Sequence, residues 1–200
     1  GSVDPEAIGE VLVIAAAEDP TATGEMVVQS ALIDVEATAI VIIEAGQIDI
    51  AATGEVLVAS ETGSAEAIGV VVEEAAEEDI ATAALVLTEA ASQEIETTGA
   101  ILAESSSVDS DTTGELLVEA AYNDPEIAGA LLAEASQHDS DATGDALAAA
   151  SVFDDSTAGE ILAEAAQVDD GSTGEAFAVA AAQEPTGVGD ALAAAAKIDP

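Results

Sequence analysis

Two short acidic segments hold the residues whose types and spacing best suit chemistry. Each starts with Asp-x-Asp and carries a further acid four residues later. Their carboxylates are Asp109, Asp111, Glu115, Asp139, Asp141 and Asp145. Oxygen ligands in such spacing are typical of calcium sites, which need six to eight oxygens around the ion. However, the first Asp of each segment also suits the start of a helix, and a helix beginning there leaves too short a loop for a full cage. Calcium is therefore one candidate, and diffusely held cations are the favoured alternative.

Residues for enzymatic chemistry are scarce. The chain has 200 residues with no cysteine, one histidine, His138, and one basic residue, Lys197. No base accompanies the serines, so a Ser-His-Asp arrangement is not supported. No strand followed by a Gly-rich loop predicts a phosphate site. The sequence predicts no catalytic residue and no cofactor, and hence a protein that is not an enzyme.

The charge balance excludes one class of partner and leaves several interpretations open. Asp and Glu number 42 and the net charge is −41. With no basic patch, the chain is not expected to bind nucleic acid or an anionic membrane. Three interpretations of the acidity remain: adaptation to high salt, a solvated spacer that resists sticking, and an acidic mimic of DNA. Adaptation to salt is favoured because Lys and Arg are missing from every repeat unit but one.

An internal repeat of 15 residues organises the sequence. Counting from a recurring glycine as position one, position four is always large and apolar, and position seven is Ala or Ser. Position eleven is nearly always acidic, and every proline follows it at position twelve. The glycines of position one are Gly9, Gly24, Gly54, Gly69, Gly99, Gly114, Gly129, Gly144, Gly159, Gly174 and Gly189, with Ala39 and Ala84 in the two gaps. Thirteen units follow one another without an insertion.

The periodicity within a unit predicts one helix. Positions three, four, seven, eight and fifteen share a face at about 100° per residue, and they are the apolar or small ones. The acid at position eleven fits an N-cap, and Pro fits the first helical position. Ser64 after Gly63 marks the same boundary in other residues. We expect helices of about 12 residues, joined by turns of two or three residues.

The glycine at position one falls inside the predicted helix, where it costs about 1 kcal/mol relative to Ala. Two explanations are open. The glycine could permit close backbone approach between successive helices, or Thr-Gly could itself start the helix. The prolines place the boundary elsewhere and favour close approach.

One unit carries a resemblance to a known family. The segment from Asp124 to Ala135 reads Asp-Pro-Glu-Ile-Ala-Gly-Ala-Leu-Leu-Ala-Glu-Ala. It resembles the helical repeats of the N-terminal domain of magnesium transporters and related flagellar-motor segments. The resemblance implies a right-handed superhelix of single short helices. It does not extend to a magnesium site, because the spacing is longer here and the basic residues of those repeats are missing.

The sequence thus predicts an all-α solenoid of about thirteen 15-residue repeats. Residues 1–2 read as a remnant of an expression tag, and residues 3–200 as one continuous array, a fragment of a longer protein. The expected function is a structural or spacer region of a larger, surface or secreted, salt-adapted protein. The alternative is a scaffold that binds a protein or peptide, and a DNA mimic or calcium-binding repeat is less favoured. Expected partners are another protein or further copies joined end to end, with no nucleic acid and no membrane span. The cytoplasm of a halophile is the alternative compartment.

Overall fold

The computed structural model describes residues 4–61 and 64–198, and this part of the chain is helical throughout, without strands. It contains the helices α1 (Pro5–Glu18), α2 (Pro20–Ala31), α3 (Val35–Ile48), α4 (Ile50–Glu61), α5 (Ala65–Gln93), α6 (Ile95–Val108), α7 (Ser110–Asn123), α8 (Pro125–His138), α9 (Ser140–Phe153), α10 (Asp155–Val168), α11 (Asp170–Gln183) and α12 (Pro185–Ile198). The predicted all-α solenoid is confirmed. In the described residues, no helix has the length and apolar character needed to cross a bilayer.

Helix α5 is twice the length of its neighbours because it spans two repeats. Asp79 interrupts it with a non-helical backbone at φ −151° and ψ 88°, so that residues 65–78 and 80–93 form two segments. The same extended conformation separates other helices, for example at Asp139, with φ −148° and ψ 96°. One helical segment therefore corresponds to each repeat.

The junctions are shorter than the sequence led us to expect. Most helices have 14 residues, and at most junctions a single residue joins one helix to the next, whereas residues 32–34 form a three-residue turn of the predicted length between α2 and α3. At Asp139, the backbone N–H donates to the carbonyl of Ala135 at 2.9 Å, and the carbonyl accepts from the N–H of Thr143 at 3.1 Å. One extended residue thus ends one helix and starts the next. The predicted turn of two or three residues was wrong at these junctions because the capping residue satisfies both helix ends.

The predicted N-caps are confirmed at most junctions. The Asp139 carboxylate accepts from the N–H groups of Asp141 and Ala142 at 3.1 and 3.0 Å. The Ser64 hydroxyl accepts from the N–H of Ala67 at 3.2 Å. Asp4 and Glu94 occupy the same position but make no such side-chain bond. The predicted glycine cap at Gly63 lies outside the described residues.

Helices stack on the helix two units away more closely than on the adjacent one. Thus α8 packs on α10, which packs on α12, while α7, α9 and α11 form a second row. This arrangement corrects the expectation that the glycines bring successive helices together. A Cβ added to Gly24 would lie 2.8 Å from the backbone nitrogen of Ser60, and one added to Gly114 would lie 2.7 Å from that of Ala150. Position one therefore faces position seven of the next helix in the same row.

A hydrophobic core extends along the array from Ala16 to Val188. Positions three and four supply most of its largest members, such as Leu116, Leu102 and Leu132, each with no exposed surface. Position five is also buried in the middle of the array, as at Val118 and Ala133. This additional buried position was not expected, because it faces helices that only the packed array brings together.

Candidate functional site

Most acidic residues at the helix junctions act as caps. The Asp109 carboxylate accepts from the N–H groups of Asp111 and Thr112, at 2.8 and 3.2 Å. Asp139 makes the matching pair of bonds, so that in each of the two Asp-x-Asp segments one carboxylate oxygen of the first Asp accepts from two backbone N–H groups. Helix formation thus uses ligand capacity that a calcium ion would require.

The structure brings only one of the six calcium candidates into a larger acidic group. Carboxylate oxygens of Glu73, Glu77 and Asp109 lie within 4.8 Å of one another. Within the described ranges, Asp111, Glu115, Asp139, Asp141 and Asp145 belong to no comparable group of three. The Asp145 carboxylate instead accepts a hydrogen bond of 2.6 Å from the Gln183 side-chain amide. Calcium binding at the two Asp-x-Asp segments stays a prediction.

Glu73 is the unusual member of this acidic cluster. It stands at position five, where other repeats have buried Val118 or Ala133, and it is 6 % exposed. Burial, together with the negative charges of Glu77, Glu74 and Asp109, raises the pKa of Glu73 to about 7. The cluster can therefore hold or release a proton near neutral pH. The sequence shows Glu73 only as a carboxylate at the variable position five. That position lies outside the predicted apolar face, so its burial was not predicted.

Negative charge accumulates elsewhere without compensation by basic groups. Burial and the charges of Glu77, Glu36 and Glu78 raise the pKa of Glu74. In the part of the chain that the structure describes, the only acid–base pair within 4 Å is His138 with Glu134, at 3.9 Å. Lys197 lies exposed in the last turn of α12. Stacked helices thus present carboxylates to one another, as Glu36 and Glu74 do.

Two junction aspartates form hydrogen bonds with the helix two units away. The Tyr122 hydroxyl donates to the Asp154 carboxylate at 2.8 Å, and this bond lowers the pKa of Asp154 and raises that of Tyr122. The Gln47 amide donates to Asp79 at 3.2 Å. Burial acts to raise the pKa of Asp79, but the bonds from Thr82 and Gln47 outweigh it, so the pKa is lowered. These bonds favour the charged form of both aspartates, and they connect each junction to the helix two units away.

Two of the grooves on the surface have apolar residues from several helices in their lining. One of about 420 Å³ lies among α1, α2 and α3, and its lining is mainly apolar, with Val11, Leu12 and Met26 among its residues. The other, of about 650 Å³, crosses several units and combines apolar Ile48 and Leu85 with acidic Asp49, Glu89 and Asp124. Sequence reasoning identified neither groove, because only the packed array brings their walls together.

Comparisons with known proteins give no indication of a function. The chain matches no protein-family model, no curated protein and no solved structure.

Proposed function

We propose that this chain is a non-enzymatic structural region, an acidic helical-repeat spacer within a larger, surface or secreted protein of a salt-adapted organism. Its role would be to hold a fixed length and to keep a hydrated, non-adhesive surface. The observation that carries the proposal is the regular stacking of glycine on position seven, which recurs along both rows of helices.

The stacking supports a spacer because every unit contributes in the same way. Each contact repeats between helices two units apart, so that length increases with the number of units. At about 9 Å between packed helices, six to seven layers give a length of about 60 Å. A defined length of this kind is what a structural segment needs.

The charge supports adaptation to salt. The net charge is −41, and acids on different helices influence one another, as Glu36 and Glu74 do. Their repulsion is screened to about 3 Å at 1 M salt. Concentrated salt would therefore relieve the main electrostatic cost of folding. A surface or secreted location would expose the chain to such salt, and the cytoplasm of a halophile is the alternative location.

Circular dichroism across a salt series tests the proposal. We expect helicity and Tm to rise steeply between about 0.02 and 2 M NaCl, because the Debye length falls from tens of Å to a few Å. Sucrose at matched water activity serves as the control, since it stabilises without screening. Equal Tm values at both salt concentrations would contradict the adaptation to salt. Small-angle scattering with a longest dimension well below about 60 Å would contradict the spacer.

A second candidate function is a scaffold for a basic peptide. The groove of about 650 Å³ favours it, because Asp49, Glu89 and Asp124 lie beside apolar Ile48 and Leu85. Such a lining suits a segment with alternating basic and apolar side chains. A pull-down from a salt-matched extract, with Leu85→Asp and Glu89→Gln as the groove variant, distinguishes the two functions. A specific partner that the variant loses would favour the scaffold, and no specific partner favours the spacer.

A further inference from the structure

The two ends of the array carry the two halves of its own internal interface. In nine units, a Cβ added to the glycine of position one would lie 2.9 Å or less from an atom of the helix two units on. The last two glycines, Gly174 and Gly189, would meet nothing within 4 Å. These two glycines therefore keep their helix surfaces open for a further layer of helices.

The opposite half of the interface is open at the other end. Position seven is at most 8 % exposed from Ala45 to Ala195, whereas Ser30 is exposed and Ala15 is half-buried. Position three shows the same difference, since it is 63 % exposed at Val11 and 58 % at Met26 but has no exposed surface at Leu116. We call Val11, Ala15, Met26 and Ser30 the head face. Together they border the apolar groove of about 420 Å³.

The tail face consists of Gly174, Phe177, Gly189 and Leu192. Leu192 is 48 % exposed, whereas the same position is at most 6 % exposed from Val27 to Leu162. The face therefore combines two flat glycine surfaces with an uncovered apolar side chain. It differs from the internal layers only in lacking the next pair of helices.

We propose that the head face of one copy docks on the tail face of another and continues the 15-residue register across the boundary. Eight of the nine covered position-one glycines face the residue 36 positions later, as Gly24 faces Ser60, and the ninth, Gly144, lies against Val179 and Ala176 of the same neighbouring helix. A second copy placed in this register sets Ala15 opposite Gly174 and Ser30 opposite Gly189. The Ser60 hydroxyl lies 3.3 Å from the Gly24 carbonyl and 2.7 Å from the Val56 carbonyl, so its single proton is shared between two acceptors. Ser30 carries the same hydroxyl for the carbonyl of Gly189.

The partner is a second copy because the contact continues an interface that the chain already makes many times. Since the head and tail faces differ, each added copy exposes a new tail, and growth is open-ended. Acids flank both faces, including Glu10, Glu25, Glu175 and Asp190. Salt that screens them favours association. The inference concerns only whether copies of the purified protein associate, so it does not depend on the spacer function.

Sedimentation velocity of the purified protein in about 2 M NaCl tests the docking. The wild type is expected to increase in average mass continuously with protein concentration, starting from the 19.5 kDa monomer. The tail-blocked variant is Gly174→Gln with Gly189→Gln, and the head-blocked variant is Ala15→Gln with Ser30→Gln. Each variant alone is expected to stay at 19.5 kDa.

A mixture of the two blocked variants gives the decisive result. Each variant retains one open face, so the mixture is expected to double in mass and then stop. Gly171→Ala serves as the matched control, because its Cβ would meet only Asp169 of the same helix turn. It should associate as the wild type does. The tail-blocked variant should keep or raise its Tm, because Gln favours helix over Gly, and lost association then does not reflect unfolding.

Three outcomes would overturn the docking. The first is a wild type that stays monomeric at about 0.5 mM protein in about 2 M salt. The second is a blocked variant that associates on its own. The third is a mixture of the two variants that remains monomeric or grows beyond a dimer. Association that survives the tail block would instead locate the contact on another surface.

Discussion

Gly129 lies against Ala165 so closely that a Cβ on the glycine would be 2.8 Å from the alanine backbone nitrogen. The two residues belong to α8 and α10, helices two units apart. A hydrogen atom in place of a side chain thus sets the spacing between these helices. The recurring glycine is retained in a helix interior because the stacked neighbour needs the space.

We predict that Gly129→Ala destabilises the fold although alanine is the better helix former. Forcing a methyl group into a packed contact costs about 1–3 kcal/mol, more than the gain of about 1 kcal/mol in helix propensity. Ala39 and Ala84 occupy the same repeat position and are fully buried, so two layers accommodate a methyl group there. We therefore expect a net loss of unfolding free energy of about 1 kcal/mol for Gly129→Ala. Thermal unfolding in concentrated salt, at protein concentrations low enough to keep the chain monomeric, measures the effect.

Gly174→Ala is the matched control, and we expect the opposite sign. An added Cβ at Gly174 would meet nothing within 4 Å. The variant should therefore gain about 1 kcal/mol from propensity alone. Equal effects of the two substitutions would show that the glycine contact does not set the helix spacing.

Local chemistry made the repeat and its caps predictable from the sequence. An acid followed by proline identifies a helix start by itself, and the cap at Asp124 could be placed without knowing the neighbours. The length of the junction was harder to predict, since one extended residue can end one helix and begin another. Nothing in a single repeat distinguishes that geometry from a longer turn.

Non-local packing explains what the sequence left undetermined. The choice of the helix two units away, rather than the adjacent one, depends on how the whole array folds. The acidic cluster of Glu73, Glu77 and Asp109 follows from that choice, because Asp109 lies 36 residues beyond Glu73. Residue types alone identified Asp109 as a candidate ligand but did not identify Glu73 and Glu77 as its neighbours.

We predict that removing the Asp139 side chain costs about 1 kcal/mol. Asp139→Ala loses the acceptor for two N–H groups in the first turn of α9. For a chain of this size the loss lowers Tm by about 2–4 °C. Glu94→Ala is the control, since Glu94 makes no side-chain cap bond. Comparable losses in both variants would mean that charge, rather than capping, sets the effect.

The pH dependence of stability should report the Glu73 carboxyl. Its pKa in the folded chain is about 7, above the ordinary 4.5. The folded state thus holds a proton that the unfolded state releases, and stability falls as pH rises from about 4.5 through about 7. Glu73→Gln cannot lose that proton. We expect it to match the wild type near pH 4.5 and to exceed it at pH 8 by on the order of 1–3 kcal/mol.

Denaturant unfolding at several pH values measures this difference between Glu73→Gln and the wild type. Glu10→Gln removes an exposed carboxyl outside the acidic cluster and is the control for net charge. Its stability difference from the wild type should depend much less on pH. A Glu73→Gln difference that is constant between pH 4.5 and 8 would disprove a buried proton at this position.

Divalent cations should distinguish an ordered calcium cage from diffuse accumulation at the Asp-x-Asp segments. The capping carboxylates already accept two backbone N–H groups each, at Asp109 and at Asp139. We therefore expect calcium and magnesium to raise Tm equally at matched concentration, because both act by screening. Asp111→Asn combined with Asp141→Asn should leave that response almost unchanged, since neither residue caps its helix. Calorimetry that finds stoichiometric calcium binding, selective over magnesium and lost in the double variant, would instead establish coordination, because only a cage depends on individual ligands.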